Sequence, residues 1–352
     1  MKIAYVGGYW ATNIGNAFFN IGADYILKEV FGKENVNMVF DQPAGIFRSG
    51  KKRGNPKKSL DIIRLLEVDF VVLLGPVISK YFLPIWKETL LDLKRRNLKY
   101  MILSAGIMKS NDKQLAEIRA FFKDFPPYLV TTRDRDAFEF LKDITPRAYD
   151  GIDFAFFVPN AHNAVKLNID NLLVMNFDKF FEPKIKLDWK KDRKPTFVFD
   201  EQRWNLKFNK PLQKIGSKTD RFSDAFVYAI SIFPAPDRPT NIGKYTVIRT
   251  DHRFTPMMKN KVFRYSNSFV ADIPESYLDI YANADLTLSD RIHACVMTLA
   301  YGKYAMLFSR TNRSKLLDRV GADDITKKPV KLDMEVLTKE KENLINWLKN
   351  QF

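Results

Sequence analysis

A single cysteine, three histidines and the lack of any long apolar run set the first limits on this 352-residue chain. With Cys295 alone no intrachain disulfide can form, and a reducing cytoplasm fits. Cys295 falls on the apolar face of a helical pattern, where a small buried hydrophobe is expected rather than a nucleophile. The longest apolar run, residues 70–78, contains Gly75-Pro76 and falls short of the roughly 20 residues a membrane-spanning helix needs. The chain enters a strand-like run at Lys2-Ile3-Ala4-Tyr5-Val6, so no signal peptide is expected. No His-Glu-x-x-His, cysteine pair or convincing carboxylate cluster is present, which argues against a metal. A Gly-x-Ser-x-Gly nucleophile elbow is missing, and the first turn is neither a Walker A loop nor the dinucleotide Gly-x-Gly-x-x-Gly. With no zinc-finger or RNA-recognition motif, nucleic acid is not an expected partner.

What the chain has in excess is positive charge, 57 Lys and Arg against 41 Asp and Glu, for a net +16. That balance attracts polyanions, phosphorylated metabolites or anionic lipid. Clusters stand at Arg48, Lys51, Lys52, Arg53, Lys57, Lys58 and at Lys190, Lys191, Arg193, Lys194. Both read as solvated loops, with contact to acidic headgroups at the inner face of a membrane as the functional alternative. An apolar fraction of 46% is ample for folding, and the length suits two domains.

Strand-like runs at 2–7, 36–40, 70–74, 100–105 and 129–132 alternate with helix-like segments at 17–31, 60–67, 84–96, 112–122 and 135–141. Such alternation predicts a parallel sheet covered by helices on both faces. Residues 149–163 read as the exit from this unit, their Phe-Ala-Phe-Phe-Val-Pro core docking on the sheet. A second series of strands follows at 172–177, 196–199, 245–249, 269–273, 286–288 and 305–308. It weakens between 199 and 245, where 203–210 is charged and aromatic and 222–232 has a helical pattern. The expected domains are 1–165 and 166–352, the second elaborated at about 178–243. The amphipathic tail, 334–352, suits packing back across the junction. Two α/β domains in series leave a cleft between the C-terminal edges of their sheets, where such folds bind ligands.

The chemistry concentrates in residues 286–308, which read as strand, helix, strand, with Arg291 and His293 where the helix begins. A helix start carries unpaired N–H groups and partial positive charge, so it suits an anion. A histidine there can serve as general acid or base. Residues two apart in a helix point in nearly opposite directions, so both side chains meet one ligand only if Arg291 belongs to the turn. Ser309, Arg310, Asn312 and Arg313 form a further basic loop after the next strand. In Arg249-Thr250-Asp251-His252-Arg253, Arg249 is expected just past its strand, able to clamp a carboxylate or phosphate. His252 reads as an exposed loop histidine. In the first half, the turn from Gly7 to Asn16 is equally a ligand loop or a tight turn with Asn13 as helix cap. Packing explains Gly75-Pro76 and Ser104-Ala105-Gly106, and an ion pair at the sheet edge explains Arg133-Asp134 better than substrate contact.

In order along the chain, GGYWATNIGNAF, VVLLGP, LSAGI, VTTRDRDAFEFLK, YDGIDFAFFVP and SDRIHACVMTLAYGK make it resemble the polysaccharide pyruvyltransferase family through most of its length. The resemblance implies a glycosyltransferase-B-like fold of two Rossmann-like halves. It implies transfer of the pyruvyl group of phosphoenolpyruvate onto two hydroxyls of a sugar, in a surface polysaccharide or its lipid-linked precursor. The product is a ketal, phosphate leaves, and no cofactor is required beyond the co-substrate. The family's Arg-x-His stretch lies at the phosphoenolpyruvate site, so Arg291 and His293 are the expected catalytic pair. Donor binding falls to Arg249, Arg291, Ser289 and Arg310, and acceptor binding to Asn13, Gly15, Asn16 and Arg133. Asn16 is a departure, since many members carry Asp there, and about 178–243 has no counterpart. A nucleotide-sugar glycosyltransferase of the same architecture and a non-catalytic member of the family are the alternatives.

Overall fold

A computed structural model describes residues 1–8, 10, 13–40, 60–108, 110–178, 181–187, 194–208, 236–252, 265–309 and 312–352. The first half runs β1 (Ile3–Gly7), α1 (Gly15–Phe31), β2 (Val36–Phe40), β3 (Phe70–Leu74), α2 (Phe82–Arg95), β4 (Lys99–Ala105), α3 (Asp112–Asp124), β5 (Val130–Thr132), α4 (Arg135–Leu141) and β6 (Ala148–Asp150). Its six strands pair in the order β2-β1-β3-β4-β5-β6, all parallel. β1 and β3 are buried end to end, as expected of apolar runs sandwiched between helix layers. α3 opens on a capping box between Asn111 and Gln114, and the Asp134 carboxylate caps α4 by accepting from Ala137 N–H at 2.9 Å. Residues 60–67 form a 3-10 turn, Ile62–Leu65, in place of a longer helix.

The second half runs β7 (Leu172–Asn176), β8 (Lys184–Leu187), β9 (Phe197–Phe199), β10 (Gln202–Lys207), β11 (Asn241–Ile242), β12 (Tyr245–Thr250), β13 (Ser268–Phe269), α5 (Glu275–Asn283), β14 (Leu286–Ser289), α6 (Ile292–Ala300), β15 (Tyr304–Leu307) and α7 (Met334–Lys349). Its sheet is ordered β11-β12-β7-β14-β15, with β13 beside β12 and β11 alone antiparallel. The fold is thus α/β with two Rossmann-like parallel sheets, as the alternation predicts. The elaboration holds a three-stranded antiparallel sheet, β8-β10-β9. Trp204 is fully buried there between Phe197 and Tyr245, with ring centroids 5.6 and 5.4 Å away. The helical pattern at 222–232 lies outside the described residues. The run at 269–273 supplies two strand residues, and α5 follows it without having been legible.

The segment after β6 becomes the joint. Phe154–Phe157 form a 3-10 turn, followed by one turn of helix, Val158–Ala161. All four residues of the 3-10 turn are fully buried in a core shared with Phe18 of α1, Tyr281 of α5 and Cys295 of α6. α1 lies so close that a Cβ on Gly22 would sit 1.8 Å from the Phe154 carbonyl oxygen. The C-terminal helix crosses back to the first sheet: Trp347 stacks on Tyr149 at 5.0 Å, and Phe352 meets Phe31 and Phe70. Among the described residues no helix is long and apolar enough to cross a membrane.

Candidate active site

The charged side chains that meet here lie at or just past the C-terminal ends of parallel strands. In the second sheet β12, β7 and β14 are neighbours. Their exits therefore bring His252, Asp178 and Arg291 together, though far apart in sequence. In the first sheet β5 and β6 are neighbours, which brings Arg133 beside Asp153.

The turn after β14 is extended at Arg291 (φ −110°, ψ 122°), and the helix begins at Ile292. Arg291 belongs to the turn, the condition under which it and His293 can serve one ligand. Ser289 is fully buried and shapes that turn. Its hydroxyl accepts the Arg291 N–H at 2.8 Å and lies 3.1 Å from both the Asn176 side-chain oxygen and the Arg291 carbonyl. With these partners Ser289 orders the turn. The Arg291 Nε donates to Asp178 Oδ2 at 2.9 Å, while Nη2 is buried without a hydrogen-bond partner among the described residues. Such an orphaned donor calls for an acceptor. α6 is buried on all sides, not on one apolar face as its spacing suggests, and Thr298 answers its burial with a 2.7 Å bond to Thr287. Cys295 is fully buried, and burial pushes its thiol up, in keeping with a packing role.

His293 is 7% exposed, with the Phe19 ring 5.8 Å away and its Nε2 3.7 Å from Asp153 Oδ2. That separation is too long for a hydrogen bond but short for two charges. The same Oδ2 accepts from Arg133 Nη1 at 2.8 Å, and Asp153 Oδ1 accepts the Ala155 N–H at 2.9 Å. Burial alone would raise the Asp153 carboxyl, but the charges of Arg133 and His293 hold it well below the usual carboxylate range.

Arg249 is a correction. β12 continues through Thr250, pairing with β13 at Arg249 and Thr250, so Arg249 lies within the strand and not past it. The side chain is fully buried. Its Nε donates to both Glu182 oxygens (3.1 and 2.9 Å) and Nη2 to Glu182 Oε1 at 3.0 Å. Nη2 also reaches the Pro239 carbonyl at 2.8 Å, and Nη1 the Ser266 carbonyl at 3.2 Å. With its fork taken by a carboxylate of its own fold, Arg249 is not a cation held out to a donor. His252 is the second correction: it is 1% exposed, not a surface loop residue. Its Nε2 sits 2.6 Å from the Tyr281 hydroxyl, and Phe18 and Tyr277 meet its ring edge-on.

The turn after β1 closes onto this cluster. Ile14 N–H donates to the His252 carbonyl at 2.7 Å, tying the two halves through backbone. Ile14, not Asn13, occupies the cap position of α1, yet the Asn13 side-chain oxygen accepts the Gly15 N–H at 3.2 Å. A Cβ on Gly15 would stand 3.2 Å from His252 Nδ1 and 3.3 Å from His293 Cβ, so glycine permits the approach. Asn16 is half-buried in the first turn of α1, and its carbonyl accepts from Asn20 at 2.6 Å. Arg133, expected at the acceptor, has its Nη1 engaged by Asp153 and is 4% exposed. Arg310 and both basic clusters except Lys194 lie outside the described residues.

Asp153, Asp178, Glu182 and Tyr281 were not singled out from the sequence. Asp153 had a signal, its place in the YDGIDFAFFVP stretch, and Asp178 follows an apolar strand. Glu182 and Tyr281 had none.

Among solved structures the chain is similar to UDP-GlcNAc 2-epimerase from Neisseria meningitidis bound to UDP-GlcNAc, at 10% identity over 100% of this chain and 94% of that one, TM-score 0.48. It is similar also to Methanocaldococcus jannaschii UDP-GlcNAc 2-epimerase in complex with UDP-GlcNAc and UDP, at 12% identity over 98% and 93%, TM-score 0.46. No curated protein matches the sequence. The sequence profile of polysaccharide pyruvyl transferases matches residues 13–312, from the turn before α1 to just beyond β15, and so takes in every strand of the two parallel sheets except β1. The chain belongs to the polysaccharide pyruvyl transferase family.

Proposed function

We propose that the protein transfers the pyruvyl group of phosphoenolpyruvate to two hydroxyls of a sugar, in a surface polysaccharide or its lipid-linked precursor, forming a ketal and releasing phosphate. The observation that carries this reading is the pairing of Arg291 and His293 at one turn, with the Arg291 Nη2 buried and without a hydrogen-bond partner among the described residues. Phosphoenolpyruvate presents a phosphate and a carboxylate, each suited to a guanidinium fork. Arg291 takes one of them, and the role once expected of Arg249 is left to Arg310. Protonation of the methylene carbon makes C2 electron-poor, so a sugar hydroxyl adds there. Departure of phosphate and attack by the second hydroxyl close the ring. His293 is the group that delivers the proton or assists the leaving phosphate. Asn13, Gly15 and Asn16 border the joint on the acceptor side. The protein acts in the cytoplasm without a cofactor, its basic clusters meeting the inner face of the membrane that carries the acceptor.

Phosphate release from phosphoenolpyruvate, measured with and without acceptor glycans, tests the reading. Release that depends on acceptor is the expected result. No release, together with thermal stabilisation by UDP- or GDP-sugars alone, would replace it with glycosyl transfer. No release and no stabilisation by either ligand would leave a non-catalytic member of the family.

A further inference from the structure

We propose that Asp153 is the positioning residue for His293: held by Arg133 of the first sheet, it orients the imidazole of the second sheet and stabilises it in its proton-carrying form. Its catalytic meaning rests on the pyruvyl-transfer reading, while the pairing itself rests on geometry. Asp153 is fully buried and both of its carboxylate oxygens are engaged. Ala155 N–H and Arg133 Nη1 donate to its two oxygens at 2.9 and 2.8 Å, and the neighbouring Phe154 N–H donates to Ser104 Oγ at 3.2 Å. Arg133 is fixed in turn. A Cβ on Gly106 would come within 2.7 Å of its Nε, and Asp134 Oδ2 stands 4.0 Å from that atom. A carboxylate fixed this firmly is a reference point against which a ring can be aligned.

Charged and titratable groups reach the vicinity of His293 from every side of the joint. Asp153 and Arg133 come from the exits of β6 and β5, and His252 from across Gly15. On the same turn stands Arg291, answered by Asp178, whose own N–H donates to Asp290. α1 contributes the apolar ring of Phe19. Asp153 brings its carboxylate to 3.7 Å from the ring nitrogen, a gap of the kind that tightens when substrate is bound. A negative charge at that place favours the imidazolium, the form a general acid needs.

The test uses the full chain with Asp153→Asn. The double variant Arg133→Gln/Asp153→Asn stands beside it, removing both charges so that neither is left buried alone. His293 ring titration is followed by NMR, assigned by the signal lost in His293→Gln, beside the pH profile of phosphate release. Asp153→Asn should titrate His293 about one pH unit lower, and the double variant by less, because loss of the Arg133 cation works in the opposite direction. The alkaline limb of the rate profile should move down with it. kcat should fall roughly 10- to 100-fold with little change in KM for phosphoenolpyruvate, the pattern of a lost partner behind an acting group. Arg133→Lys keeps a cation against Asp153 and should keep the wild-type titration. An unchanged His293 titration in folded Asp153→Asn, or one no lower in the double variant than in Arg133→Gln alone, would overturn the proposal. If the wild type releases no phosphate, the pyruvyl-transfer reading fails alone, because the NMR shift still reports the pairing.

Discussion

The C-terminal ends of β12 and β14 each present an arginine, a carboxylate and a histidine within five residues, on strands separated only by β7. From composition they are equivalent. In the fold the β12 set is turned to structure: Arg249 is wrapped by Glu182 and two backbone carbonyls, and His252 is held against Tyr281 while its carbonyl anchors Ile14. The β14 set stays partly committed. Arg291 gives its Nε to Asp178 and keeps Nη2 without a partner among the described residues, and His293 faces Asp153 across the joint. What separates a structural arginine from a ligand-binding one is how many guanidinium donors the fold itself consumes. Arg249 lies inside its strand, where neighbouring strands and the elaboration surround it. Arg291 lies two residues beyond its strand, where the chain turns toward the other half.

Four substitutions can break or sharpen this contrast. His293→Ala should lower turnover on the order of 10³- to 10⁴-fold with the fold intact, read as phosphate release and circular dichroism. Activity kept within a few-fold would move the chemistry away from the β14 turn. Arg249→Met should act on stability instead: leaving Glu182 buried without its partner costs about 3 to 5 kcal/mol, seen as a lower urea midpoint, while KM for phosphoenolpyruvate in the folded fraction is unchanged. A large rise in KM without loss of stability would restore Arg249 as a donor clamp. Arg291→Lys keeps the charge but loses the planar fork, and kcat/KM should drop roughly 10- to 100-fold, with stability within about 1 kcal/mol of wild type. Gly15→Ala forces a methyl between His252 and His293 and should cost about 1 to 3 kcal/mol by overpacking, measured by thermal melting. A melting point equal to wild type would mean the joint yields more readily than its contacts imply.

The parallel sheets were legible because buried strands and amphipathic helices repeat on short periods. Runs such as 70–74 and 135–141 coincide with β3 and α4. Legibility failed where strands were too short or too polar to stand out from loops. β8 and β10 alternate charged and apolar residues on a small antiparallel sheet, and β6 has three half-buried residues inside a segment that reads as an exit. It failed again at Arg249, because a strand-end arginine looks the same whether or not a carboxylate elsewhere in the chain closes on it.

The order of strands and helices, the turn that places Arg291 just before a helix, and the clustering of polar residues at strand ends are local matters, written in spacing and turn chemistry. Which of those residues remain available was decided in three dimensions. Glu182 reaches Arg249 across 67 residues and Asp178 reaches Arg291 across 113, because strand order, not sequence order, sets which exits are neighbours. The joint itself, with Asp153 against His293 and Ile14 against His252, exists only once two sheets are docked. Ion pairs and close packing depend on distances that fall within a few ångströms after folding, and no pattern along the chain encodes them.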